Sequence, residues 1–273
     1  MGMRIWHQSF TVLEDVPMYV ARMQDHARRV VRPDTVVDLH GMMPGTFPAN
    51  YPGDDMAFGP LFAMHGSQWM LNARTAAAQG YDGIAICTLV DPFLAEIKSL
   101  AGIPVVGAGE ASFHTARLVG RRFGLTLFMD RFSAYYGELA YRCGLADSYV
   151  GTTQVGFSFK ELVAEYDQPG RLIDTFRASA RRLIAMGAEV IVPGELPLNL
   201  LLANEGVNRV DDAPVIDGFG ITLKMTETMV DLRRSTGLAN SSVGWFNNAV
   251  APERFDQVAE FYFRDEIRTR FRR

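Results

Sequence analysis

The chain contains one strand-like segment twice. Each copy begins at a glycine, runs through apolar residues and ends at polar or reactive side chains, in Gly80–Thr88 (GYDGIAICT) and Gly187–Glu195 (GAEVIVPGE). Each copy is followed by a helix-length segment and a second apolar run with a proline near its start, in Ile103–Gly107 and Ala213–Asp217. A repeated strand–helix–strand unit predicts two similar half-domains that face each other across a cleft. The last residues of the two copies would then lie opposite each other.

The composition is that of a globular protein with a substantial core: 273 residues, 48% of them hydrophobic and 21% charged. A net charge of -4 gives no reason to expect nucleic acid as a partner. No apolar run approaches the length of a membrane span, and the first residues do not resemble a signal peptide. Cys87 and Cys143 do not form a disulfide framework, so we expect a cytoplasmic protein.

Strand-length apolar runs alternate with helix-length segments along the chain, which predicts parallel sheets with helices on both faces. We therefore predict an α/β protein of two pseudo-symmetric Rossmann-like or flavodoxin-like half-domains, 1–121 and 122–251, with the active site in the cleft between them. A C-terminal helix, 252–271, is expected to pack back on the first half. The predicted strands are 4–10, 36–41, 84–88, 105–107, 125–128, 149–153, 190–193 and 215–217.

The segment Pro44–Pro60 is rich in proline and glycine and predicts a long loop. Loops of this length in compact α/β proteins are often lids or binding loops, and a plain surface excursion is the alternative. Ligands of open parallel sheets bind beyond the carboxyl ends of the strands. This topology predicts the substrate-binding residues Gln8, Ser9, Thr46, Leu89, Phe128, Thr153, Asp217 and Gly218. Leu196 is expected to bind the substrate as part of an apolar lining.

Glu195 is the strongest catalytic candidate, because apolar residues precede and follow it. Desolvation would raise the pKa of its carboxyl group toward the range that suits general acid–base catalysis. The alternative is a glutamate that only interacts favourably with a helix dipole. At the matching strand end, Cys87 is either a buried inert thiol or an activated one, and Thr88 is either a helix cap or a hydrogen-bond partner of the substrate.

The histidines at positions 7, 26, 40, 65 and 114 do not have the spacing of metal ligands, and we expect no metal. Gly107–Ala111 matches a dinucleotide-binding loop only in part, because Ser112 replaces the third glycine and the turn is not the first strand–helix junction. We therefore expect no NAD and no other cofactor. The turn can still offer backbone N–H groups to an anion.

Several segments resemble the Asp/Glu/hydantoin racemase superfamily, and the hydantoin racemase branch most closely. They occur in the family's order over about residues 80–230: Gly80–Asp82, Asp91-Pro92, Ile103–Ala111, Gly120–Gly124, Gly187–Val192 and Pro214–Gly218. The resemblance implies a pseudo-twofold α/β protein that self-associates and moves a proton, without a cofactor, at a carbon next to a carbonyl. It also implies two opposed cysteines, one at each strand end, and backbone N–H groups that hold the substrate's oxygens.

The chain departs from this pattern at both positions. The family cysteines correspond to the eighth residue after each glycine, where this chain has Thr88 and Glu195. Cys87 comes one residue earlier, so the alternation of side chains along a strand predicts that it points away from the cleft unless the strand end twists or bulges. We therefore do not expect racemisation by two opposed thiols.

These observations predict an enzyme of the isomerase class that acts on a small carbonyl or carboxylate compound. Glu195 would be the general acid–base, and Thr88 would bind the substrate or orient a water molecule. Cys87 is a further catalytic candidate, and whether Cys87 or Thr88 faces the cleft stays open. A hydrolase or a lyase, including one with decarboxylase-type chemistry, is the alternative. A non-catalytic small-molecule binding protein is the third possibility.

Overall fold

The computed structural model describes residues 2–47 and 53–264. These residues contain two parallel β-sheets. The first sheet has the order β2-β1-β3-β4, with β1 (Met3–Gln8), β2 (Thr35–His40), β3 (Gly83–Ile86) and β4 (Val105–Gly107). The second has the order β6-β5-β7, with β5 (Phe123–Leu127), β6 (Tyr149–Gln154) and β7 (Val190–Pro193). Every strand pair within these two sheets is parallel, and the predicted fold class is confirmed.

Helices flank both sheets. In chain order they are α1 (Pro17–Val30), α2 (Gly53–Met56), α3 (Gly59–Ala78), α4 (Leu94–Ala101), α5 (Ala108–Val119), α6 (Ser133–Arg142), α7 (Phe159–Ala164), α8 (Gly170–Ala185), α9 (Leu196–Asn204), α10 (Gly218–Thr236) and α11 (Pro252–Phe263). None of the helices in the described ranges is long and apolar enough to cross a membrane.

The strand registers bring the strand ends of each sheet to one edge. Gln8, the last residue of β1, pairs with His40 in β2 and with Ile86 in β3, so these three strands end at the same level. In the second sheet, Thr126 of β5 pairs with Pro193 of β7. The residues that follow β1, β3, β5 and β7 can therefore converge, as expected for open parallel sheets.

One hydrophobic core joins the two sheets. β3, β5 and β7 are buried along their whole length, as is typical of parallel strands covered on both faces. Phe113 of α5 is fully buried and lies 4.8 Å from the ring of Phe123 at the start of β5. Because α5 packs against β4, β5 and β7, it connects the sheets through apolar contacts.

The structure differs from the predicted elements in several places, including strand ends: β1 ends at Gln8 and β3 at Ile86, each two residues before the predicted end. Residues 215–217 do not form a strand, because Val215 makes only an isolated parallel bridge to Ile191. The preceding residues instead form an antiparallel hairpin, β8 (Arg209–Val210) with β9 (Ala213–Pro214). Helix α7 was not predicted, although its capping box of Ser158 and Glu161 is present in the sequence.

The predicted loop Pro44–Pro60 contains α2 and the start of α3, and residues 48–52 lie outside the described residues. The C-terminal helix ends at Phe263, and the predicted continuation over 265–271 also lies outside them.

The division at residue 121 stays a prediction. It separates the two sheets, but α10 packs against β3, β4 and α5 and so covers the first sheet. Arg74 of α3 also pairs with Asp256 of α11 at 3.3 Å.

Candidate active site

A cleft of about 600 Å³, including its open mouth, lies beyond the carboxyl ends of β1, β3, β5 and β7. Each of the four strands contributes the residues that follow it, and α1, α2, α6 and α7 complete the wall. The strand-end residues are Ser9, Phe10 and Thr11 after β1, Cys87, Thr88 and Val90 after β3, Phe128 and Met129 after β5, and Gly194 and Glu195 after β7.

Glu195 is held by the backbone of the neighbouring strand end. Its Oε1 atom accepts hydrogen bonds from the backbone N–H groups of Phe128, at 3.0 Å, and Met129, at 3.4 Å. Its Oε2 atom is buried and has no hydrogen-bond partner within the described part of the chain. One carboxyl oxygen is therefore fixed to the protein, while the other can bond to a ligand in the cleft.

Burial raises the pKa of Glu195 to about 8, although the two backbone N–H groups act to lower it. At neutral pH most of the carboxyl group is therefore protonated. A carboxyl group that titrates near the working pH can both donate and accept a proton. The sequence-based expectation of a desolvated glutamate agrees with this geometry.

Tyr136 fixes the turn that leads into Glu195. The Tyr136 hydroxyl donates a hydrogen bond to the carbonyl oxygen of Gly194, and its ring is almost completely buried. α9 begins directly after Glu195, and no side chain caps its first turn. The N–H groups of a helix's first turn have no partner within the helix, so Leu196 and Leu198 can donate to an anionic oxygen here, whereas Pro197 has no N–H group.

Thr88 and Cys87 both line the cleft that contains Glu195. The alternation-based expectation for Cys87 does not hold, because β3 ends at Ile86 and strict alternation ends with it. Burial raises the pKa of the Cys87 thiol well above its usual range, and the carboxyl groups of Asp91 and Asp217 raise it further. Cys87 therefore carries a neutral thiol at physiological pH and is a poor base.

The rest of the wall is mostly aromatic or apolar. It includes Tyr19, Met56, Phe132, Tyr136 and Phe159, with Phe10 and Phe128 from the strand ends. Among the described residues that line this cleft there is no lysine, arginine or histidine. The site therefore suits a ligand with apolar surface and little negative charge.

Six of the twelve predicted site residues meet in the cleft: Ser9, Cys87, Thr88, Phe128, Glu195 and Leu196. The others do not line it. Gln8 is buried and bonds to Trp6 and Asn72, and Thr46 bonds to Met43 and Gln68 at the surface. Leu89 is in the core, and Thr153 bonds to Ser179.

The last two predicted residues, Asp217 and Gly218, form the start of α10. Asp217 accepts from the Gly220 N–H at 3.0 Å and contacts Nε2 of His26 at 2.7 Å. A side chain that caps a helix is already occupied, so topology alone overestimates how many strand-end residues are free to bind a ligand. The roles of all twelve residues remain predictions.

Tyr19, Met56, Tyr136 and Phe159 were missed because they come from helices and not from strand ends. No sequence motif marks them. Only the way in which α1, α2, α6 and α7 fold over the cleft brings them to the wall.

Two backbone N–H groups of the Gly107–Ala111 turn already have a partner within the protein. The Asp91 carboxylate accepts from the backbone N–H groups of Gly109, at 2.9 Å, and Glu110, at 2.6 Å. A Cβ atom at Gly107 would lie 2.5 Å from the Asp91 carboxyl group, and one at Gly109 would lie 2.2 Å from the Leu89 carbonyl oxygen. Gly107 and Gly109 therefore leave space for the turn that carries Cys87 and Thr88. This packing explains why the two glycines are present although the segment matches a dinucleotide-binding loop only in part.

No group of three or more histidine, cysteine, aspartate or glutamate side chains in the described ranges could hold a metal ion. His7 is fully buried, and burial together with the nearby His40 lowers its pKa to about 3. It is therefore a neutral core residue and does not line the cleft.

Two parallel sheets with a carboxyl group at their common cleft agree with the resemblance found in the sequence. The chain belongs to the Asp/Glu/hydantoin racemase family, whose model matches residues 19–256. A hydantoin racemase from Pseudomonas sp. (strain NS671) is 26% identical over 162 residues. That span is 58% of this chain and 62% of the length of that racemase.

Solved structures with the same fold include two allantoin racemases. The protein from Klebsiella pneumoniae has a TM-score of 0.72 and 24% sequence identity, over 90% of this chain and 93% of that chain. The protein from Pseudomonas fluorescens has a TM-score of 0.73 and 20% sequence identity, over 91% of this chain and 98% of that chain. At these identities the likeness establishes the fold.

Proposed function

We propose that the protein is an enzyme of the isomerase class that moves a proton at a carbon next to a carbonyl group, with Glu195 as the general acid–base. One observation carries the proposal: Oε1 of Glu195 is fixed by two backbone N–H groups, while the buried Oε2 has no partner among the described residues of the cleft. Membership of the racemase family supports the same class of reaction.

The proposed reaction uses one base. The ionised Glu195 carboxyl group removes the proton, and the electron pair left on carbon moves onto the adjacent carbonyl oxygen to form an enolate. The same carboxyl group, now protonated, returns the proton to carbon. Cys87 does not serve as the opposite base, because burial keeps its pKa high. Return of the proton to the other face requires the enolate to turn in the cleft.

Two kinds of donor can stabilise the enolate oxygen. The uncapped first turn of α9 presents backbone N–H groups, and Thr88 and Ser9 contribute hydroxyl groups to the same wall. Donors that are already in place lower the energy of developing negative charge without reorganisation.

The lining of the cleft favours a neutral or weakly charged compound with apolar surface over an acidic amino acid. Aspartate and glutamate carry two carboxylates, and the described wall offers no cationic side chain to pair with them. The curated relative is named for hydantoins, which are neutral rings with a carbon next to a carbonyl group. We therefore propose hydantoins with an apolar substituent, or similar neutral ring compounds, as the substrate class.

The test is exchange of the substrate's α-proton with solvent deuterium, followed by NMR at neutral pH over a panel of substituted hydantoins. The proposal predicts exchange above the enzyme-free rate with at least one of them, and its loss in Glu195→Gln. Exchange that persists unchanged in Glu195→Gln would contradict the assignment of the base.

A lyase or hydrolase is the second candidate, and the protonation state of Glu195 favours it. A carboxyl group with a pKa of about 8 is mostly an acid at neutral pH, which suits delivery of a proton to a carbanion after a carbon–carbon bond breaks. The product mass separates the candidates, because an isomerase leaves it unchanged. If Glu195→Gln binds a ligand as tightly as the natural protein and neither turns it over, the chain is a binding protein.

A further inference from the structure

A second cavity adjoins the cleft. It lies between the start of α1 and α7, encloses about 720 Å³ including its mouth, and has no assigned role. Its lining is largely apolar: Val16, Pro17, Met18, Leu162, Val163 and Tyr166.

Tyr19 and Phe159 line both the cleft and the second cavity. The two spaces are therefore adjacent and share these two residues as part of their walls. Burial raises the pKa of the Tyr19 hydroxyl, and the nearby Tyr166 and Cys87 raise it further. Tyr166 belongs to the second cavity and Cys87 to the cleft, so Tyr19 interacts with groups in both.

Three charged residues line the second cavity, Asp15, Arg22 and Asp167, and two of them pair with each other. Arg22 Nη2 lies 2.8 Å from Asp167 Oδ1, and its guanidinium lies 4.8 Å from the centre of the Tyr166 ring. An anionic ligand would have to compete with Asp167 for this arginine. The apolar lining is therefore the feature that a ligand can use without breaking an ion pair.

We propose that the second cavity binds an extended apolar substituent of the molecule that reacts at Glu195, and that Tyr19 and Phe159 form the passage between the two spaces. The inference rests on the proposed function and narrows its substrate class to compounds whose substituent is long enough to pass Tyr19. A short substituent would remain in the cleft and gain nothing from the cavity.

The experiment compares hydantoins with a methyl and an n-hexyl substituent at C5. The first ratio is the rate of α-proton exchange of the hexyl compound divided by that of the methyl compound. Calorimetric affinities of the corresponding 5-methyl-5-alkyl compounds, which have no exchangeable proton at that carbon, give a second ratio. Because burial of each additional methylene favours binding, we expect the natural protein to favour the hexyl compound by roughly tenfold or more.

Val163→Trp and Met18→Trp place a large ring in the cavity from positions that are 49% and 65% exposed, so the fold should tolerate both. We expect each to lower the two ratios by roughly tenfold. Met186→Trp, at the C-cap of α8, is the matched control: the position is 46% exposed and does not line either space, so both ratios should stay unchanged.

The proposal is wrong if the natural protein does not favour the hexyl compound, if neither cavity variant lowers the ratios, or if the control lowers them equally. The binding ratio decides these outcomes even if no compound exchanges its proton. Absence of exchange with a preserved binding preference would overturn the proposed function and leave the second binding site standing.

Discussion

At the scale of single residues, the chemistry depends on how Glu195 enters the cleft. β7 is buried along its length and ends two residues before Glu195, so this side chain enters an apolar space and its carboxyl group loses most of its hydration. Two backbone N–H groups hold one oxygen, but they do not offset the cost of burial. The result is a group whose charge changes within the range in which enzymes work.

The pH dependence of the reaction follows from this pKa. If Glu195 acts as the base, its ionised form is required, so kcat/KM for α-proton exchange should rise with pH and level off above about pH 8. If Glu195 instead delivers a proton in a lyase reaction, kcat/KM should fall through the same range. A profile that is flat between pH 6 and 9 would contradict both roles.

Folding stability should also depend on this carboxyl group. Its pKa in the folded protein, about 8, lies above the ordinary value of 4.5, so the folded state holds the proton more tightly than the unfolded chain. Its contribution to the free energy of unfolding is therefore complete below about pH 4.5 and is lost as the pH rises through 8. Between pH 5 and pH 9, the free energy of unfolding measured with urea should fall more for the natural protein than for Glu195→Gln. Equal falls would contradict the burial of this carboxyl group.

At the scale of elements, the turn after β3 depends on Asp91. Its carboxyl group accepts from two N–H groups at the start of α5, and burial raises its pKa to about 7. We expect Asp91→Ala to lower the free energy of unfolding by about 1–3 kcal/mol, because it leaves buried donors without a partner. Asp25→Ala removes an exposed carboxylate and should have almost no effect in the same urea titration, so equal losses would contradict the capping role.

The sequence predicts elements and strand ends well because apolar periodicity and the helix-ending glycines are local signals. β4 and β7 match their predicted bounds, and the duplicated segment places Thr88 and Glu195 at one cleft. The strand predicted at residues 215–217 does not form, because the Asp217 side chain caps α10 in the folded chain. The aromatic wall could not be predicted, since Tyr19 and Tyr136 reach the site through tertiary packing alone.

At the scale of the whole molecule, α10 attaches a late segment of the chain to the first sheet. Its Glu227 is buried and accepts from Thr35 at 2.5 Å and from the Arg32 backbone N–H at 3.0 Å, and it pairs with Lys224 at 2.5 Å. Although burial alone would raise the pKa of Glu227, these partners lower it. The contact therefore links the start of β2 to a helix almost two hundred residues later.

Removing this carboxylate should weaken the whole fold. We expect Glu227→Ala to lower the free energy of unfolding by roughly 1–3 kcal/mol, because it leaves the Thr35 hydroxyl and the Arg32 backbone N–H without their partner. Glu205→Ala, at an exposed position, is the control and should change it by less than about 0.5 kcal/mol. Two separate unfolding transitions in Glu227→Ala would show that α10 couples the sheets, and a loss no larger than that of the control would contradict the role of the network.

The central claim is that a symmetric scaffold carries a one-sided proton-transfer site based on Glu195 and not on a thiol. The most direct test measures α-proton exchange of a 5-alkyl hydantoin in deuterated buffer at pH 7.5 with the natural protein, Glu195→Gln and Cys87→Ser. We predict that Cys87→Ser retains the exchange rate within about threefold, while Glu195→Gln loses roughly a thousandfold. Loss of exchange in Cys87→Ser with retention in Glu195→Gln would contradict the account.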